Sequence, residues 1–65
     1  MNVAAQLVAR CFAARTAAHL DHLTTESYAQ HMALGDFYDA VASGADEFAE
    51  CYMALHGKFT SADFP

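Results

Sequence analysis

Apolar side chains recur at helical spacing in two stretches of the chain, separated by a short polar run. From Val3 to about His22 there is no Gly or Pro and alanine is abundant, which predicts a continuous helix over residues 3–22. Val8, Phe12, Arg15, His19 and His22 follow one another at steps of 4, 3, 4 and 3, with Leu7, Cys11, Ala14 and Ala18 beside them. One face is therefore expected to turn inward and to carry both histidines. The run Thr24-Thr25-Glu26-Ser27 offers side-chain oxygens to free backbone N–H groups, which marks a turn within residues 23–27 and a new N-cap. Ser27 and Gln30 have the spacing of a capping box.

A second helix is expected over residues 27–56, ended by Gly57 in the left-handed conformation. Its seam is His31, Leu34, Tyr38, Val41, Ala45, Phe48, Tyr52 and Leu55, spaced alternately 3 and 4 apart as on a bundle face. Residues 58–65 form a tail, either a docking strap or the start of a longer chain. At a rise of 1.5 Å per residue the longer helix would overhang the shorter by about 15 Å, leaving part of its seam uncovered. The expected architecture is all-α: a helical hairpin that completes a four-helix bundle by homodimerisation.

Composition narrows the function. A chain of 65 residues is at most one domain. Hydrophobic residues make up 55% of it, whereas Gly and Pro together number four, as in a compact helical protein. The net charge is -5, and Arg10, Arg15 and Lys58 stand singly. Direct nucleic-acid binding is not expected from such a chain. No apolar run of about 18 residues could span a bilayer, and the N-terminus lacks the pattern of a signal peptide. The expected location is the cytoplasm. Cys11 and Cys51 have no CxxC spacing and read as small buried hydrophobes.

The residues with chemical capacity are His19, His22 and His31 near the turn and Asp39, Asp46 and Glu50 on the second helix. At 100° per residue the three carboxylates fall within about 40° of one another, on one flank of the seam. Asp46 lies 15 residues beyond His31, a rise of about 22 Å, so one ion cannot touch both on the same helix. In an antiparallel dimer, His22 and His31 of one chain could face Asp46 and Glu50 of the other. That gives two equivalent inter-chain sites, with a donor set suited to iron, manganese or zinc. The bland alternative is that the histidines are structural and the carboxylates merely solvated.

The stretch HMALGDFYDAVASGADEFAECYMALHG, residues 31–57, resembles the second helix of the Dps-type mini-ferritins, in which a His is followed 15 residues later by Asp-Glu-x-Ala-Glu. His19-Leu20-Asp21-His22 resembles the His-x-x-His that ends that family's first helix. The resemblance covers roughly residues 3–57 and implies a ferroxidase centre between two-fold-related subunits, binding iron as Fe(II) and Fe(III). It assigns His31, Asp46 and Glu50 as ligands, together with His22 by motif or His19 by counting back 12 residues from His31; the motif favours His22. Gly35 stands where that family commonly has a further acidic ligand, and the sequence stops where the family continues with two more helices, so no storage cage is implied. The segment HLTTESYAQHMALGDFYDA, residues 22–40, is also similar to uncharacterised small helical proteins of bacteriophages. Two functions follow as expectations: metal binding with ferroxidase activity, or a non-enzymatic helical interaction protein such as a phage regulator or virion component.

Overall fold

The structure, a computed structural model, describes residues 2–65. Two helices, α1 (Val3–Thr24) and α2 (Tyr28–His56), form an antiparallel hairpin, followed by a single 3-10 turn at Ser61–Asp63; no strand occurs among the described residues. Asn2 caps α1 by accepting from the Ala5 N–H. α1 runs two residues past the expected end at His22, because the Thr24 hydroxyl donates to the carbonyls of Leu20 and Asp21. The last turn is thereby closed by a side chain that the sequence reading assigned to the loop.

Only Thr25, Glu26 and Ser27 link the helices. Ser27 accepts from the Gln30 N–H, as its N-cap position demands. The reciprocal half of the expected capping box is rerouted: Gln30 Oε1 accepts from the Thr25 hydroxyl, whose oxygen in turn accepts from the Ser27 N–H. At the far end Gly57 has φ 94 and ψ 162. That is an extended, glycine-only conformation and not the expected left-handed helical one, although its N–H still bonds to the Met53 carbonyl.

Small side chains bring the helices together. The buried apolar residues are Ala5, Val8 and Ala18 of α1 and Ala45 of α2. The seam expected on α2 divides, because a strict 3-and-4 spacing drifts by about 20° per heptad around a straight helix and leaves the partner's side toward its ends. Ala45 is buried and His31, Tyr38 and Tyr52 are half-buried, whereas Phe48 remains 39% and Leu55 80% exposed. Phe12, expected inward, is 40% exposed: alanines beside it let the backbones approach and leave a large ring no room. Cys11 is half-buried and Cys51 exposed, so the second thiol is not the buried hydrophobe expected.

The overhang of α2 is also smaller than expected, since the helices have 22 and 29 residues. The tail returns over it. Phe59 stacks on Tyr52 with ring centroids 5.2 Å apart, and Phe64 meets Phe59 edge-on at 5.3 Å. Asp63 accepts from the Thr60 N–H and fixes the turn between the two rings.

The hairpin measures 43 × 20 × 13 Å. Thirteen ångströms is one helix diameter, so the molecule is a single layer, whereas a hydrophobic core needs two. Its radius of gyration is 14.0 Å, against about 11 Å for a compact domain of this length. The accessible surface is 4690 Å², against about 4,000 Å² for a compact monomer of this mass.

Candidate metal centre at the histidine clasp

Near the turn the histidines are held by one another. His22, the third residue from the end of α1 counting Thr24 as the last, faces His31 near the start of α2. His22 Nδ1 donates to the His31 carbonyl at 2.6 Å, and His31 Nδ1 donates to the His22 carbonyl at 2.9 Å. The two rings stack with centroids 3.7 Å apart and 20° between planes. A carbonyl oxygen only accepts, so the proton on each ring must sit on Nδ1. In the neutral ring the free electron pair is then on Nε2. This is the tautomer that a metal ion requires, with the second nitrogen oriented by a backbone carbonyl.

Gly35 makes this packing fit. A Cβ at position 35 would lie 3.1 Å from His22 Cε1 and 3.3 Å from its Nδ1, so a side chain there would press on the ring that makes the clasp. At the position where the mini-ferritin resemblance has an acidic ligand, Gly35 forms the floor under His22. The available signal was the pairing of a glycine on one helix with a bulky ring on the other, which spacing within a single helix does not reveal.

His19, one turn earlier on α1, stacks on Tyr38 at 4.2 Å and 15°. Tyr38 also meets His22 edge-on at 5.4 Å, and the Arg15 guanidinium lies 5.3 Å from the Tyr38 centroid. His19 is thus committed to Tyr38, and its ring centroid is 6.2 Å from that of His22. Spacing places Tyr38 on the seam of α2 and Arg15 on the inward face of α1, and a cation over an aromatic face is a packing contact with a modest electrostatic part.

Asp39, Asp46 and Glu50 are exposed. With Gly35 they lie on one stripe of α2 about 60° wide at 100° per residue, so the carboxylates share a side of the helix with the residue on which the His22 ring rests. Within the single chain they are too far along the axis to join the histidines. Among the described residues no three His, Cys, Asp or Glu side chains are grouped so as to hold an ion.

The opposite side of α2 carries no carboxylate near its middle. Phe48 is two residues from Asp46 and Glu50, hence about 160° away around the helix. With Val41, Gly44 and Ala45 of α2 and Leu7, Val8 and Cys11 of α1 it lines an apolar groove along the hairpin. Among the described residues no helix is long and apolar enough to cross a membrane.

Comparison with known proteins gives no match to a curated protein or to a solved structure. One family model matches residues 22–65, a span that begins at the clasp histidine His22 and includes His31, Gly35, Asp46 and Glu50 but not His19. With about two thirds of its length so matched, the chain belongs to a family of unknown function, DUF5856.

Proposed function

We propose that this protein binds iron at sites completed between two copies of the chain, and oxidises Fe(II) there with peroxide or oxygen as the electron acceptor. The observation that carries this reading is the reciprocal clasp, which fixes His22 and His31 with both Nδ1 atoms engaged and both Nε2 atoms left for a ligand. An antiparallel second copy with its two-fold axis near Ala40 would set the clasp level with Asp46 and Glu50 of that copy. His31 stands nine residues before residue 40 and Asp46 and Glu50 six and ten residues after it, rises of roughly 9 to 15 Å on either side. Such a pair of hairpins is a four-helix bundle with two equivalent sites. Imidazole and carboxylate donors suit Fe(II), and the carboxylates favour the Fe(III) product; zinc or manganese would accept the same donors. His22 is the preferred ligand over His19, whose ring is stacked on Tyr38.

The test is reconstitution from complementary variants. His31→Ala and Asp46→Ala each lose both sites as pure proteins. Mixed, they should regain one site per dimer, read by calorimetric Fe(II) or Zn(II) titration. Equal loss in the mixture and in the pure variants would end the inter-chain reading.

A second reading rests on the apolar groove: a helical interaction protein without catalysis, in which the clasp serves only to hold the hairpin closed. Tight binding of a partner by a protein that takes up no metal would favour it.

A further inference from the structure

The two broad sides of the hairpin differ in what they need in order to be covered. On one side Asp39, Asp46 and Glu50 are exposed along α2. Two copies meeting there would bring six carboxylates together, and only bound cations or wide separation would offset their repulsion. The groove on the other side is lined by Leu7, Val8, Cys11, Val41, Gly44, Ala45 and Phe48, and none of these carries a charge.

We propose that the groove is a homodimer interface that forms without metal, in which the Phe48 ring of each copy enters the gap beside Gly44 of the other. Three observations commit the occupant to a second copy. First, the groove carries both a projecting ring and an indentation, one helical turn apart. Phe48 is 39% exposed, and nothing lies within 4 Å of where a Cβ on Gly44 would be. A two-fold axis between the two positions pairs each ring with the other's gap, the self-complementarity that an isologous contact requires. Second, the groove is built by both helices, from Leu7, Val8 and Cys11 of α1 and Val41, Gly44, Ala45 and Phe48 of α2, so a second copy seated there meets both and supplies the second layer that a one-layer hairpin lacks. Third, each copy carries a charge of -5, and this side keeps the Asp39, Asp46 and Glu50 flanks of the two copies apart, with Glu47 alone, exposed and about 60° from Gly44, at its border.

The inference goes beyond the iron-binding reading. That reading uses the carboxylate side, so if both hold, metal would join groove dimers into larger assemblies. The experiment is sedimentation velocity and equilibrium of the full chain in excess chelator. A dimer is expected at micromolar concentration. Gly44→Glu should weaken it at least about 30-fold, the scale of a hot-spot loss when a charge enters a desolvated contact. The variant should keep its helical circular dichroism, since position 44 has open space and Glu favours a helix more than Gly does. Asp46→Asn with Glu50→Gln should leave the metal-free dimer intact. A monomer in chelator, or a dimer indifferent to Gly44→Glu, overturns the proposal. A chelator-resistant dimer that binds no metal would refute the iron reading alone, and a dimer that forms only with metal would refute this one alone.

Discussion

The two ends of the hairpin are held by different physics. At the turn end, rings and directional bonds do the holding: His22 and His31 exchange hydrogen bonds, His19 stacks on Tyr38, and Arg15 lies over the same ring. At the open end the helices meet through Ala5, Val8 and Ala45, whose contribution is close backbone approach and apolar burial, and the tail aromatics close over Tyr52. Directional contacts fix register, because a shift along the helix breaks them outright. Alanine contacts fix distance, because anything larger pushes the helices apart. A hairpin with a single layer and little core needs both.

The sharpest way to break this division is at the alanine end. Ala45→Glu places a carboxylate at a position only 5% exposed and should cost about 3 kcal/mol, read as a lowered denaturation midpoint. A cost below about 1 kcal/mol would mean that the helices separate there without penalty. Next in size is the contrast between two glycines given the same substitution. Gly44→Ala, in open space, should stabilise the dilute monomer by about 1 kcal/mol through helix propensity. Gly35→Ala, against the His22 ring, should lose that gain and destabilise by about 1 kcal/mol as the clasp bonds lengthen. Equal effects at the two sites would remove Gly35 from the clasp.

His22→Phe keeps a stacked ring but removes one of the two donors of the exchange, leaving the His31 carbonyl without its ring partner while the His31 Nδ1 bond to the carbonyl of residue 22 remains. A loss of about 1 kcal/mol is expected, with the larger change seen as faster amide exchange near Ser27 than near Ala45. The smallest effect belongs to the tail. Phe59→Ala removes the stack on Tyr52 and should cost about 0.5–1 kcal/mol, detected as loss of exchange protection over residues 58–65 while the midpoint of hairpin melting barely moves.

Much of this architecture was legible. Uninterrupted helix formers, the Thr/Ser run and Gly57 mark two helices and their turn, and Ser27 does cap α2. What the sequence left open was which part of a broad apolar stripe faces the partner helix. Periodicity says that His31, Leu34, Tyr38, Val41 and Phe48 share a side. It does not say that Tyr38 turns to α1 while Phe48 turns to the groove, because that depends on the distance between helices, which the alanines of both set jointly. The histidine pair was legible as two rings near one turn, but their mutual bonds were not: a backbone carbonyl acceptor leaves no trace in residue identity. The fit of Gly35 to the His22 ring was hidden for a related reason, since it lies across the interface and not along its own helix.

The clasp also bears on how the chain finds its shape. His22 and His31 are nine residues apart, and closing a loop of about that length takes on the order of 10–100 ns. Once they meet, each successive contact outward along the helices encloses only a little more chain, so its closure entropy has largely been met by the contact before it. The hairpin should therefore zip from Ser27 toward Ala5, with low contact order and correspondingly rapid folding. Fraying from the open end is then gradual and reversible, whereas loss of the clasp removes the nucleus from which every later contact grows.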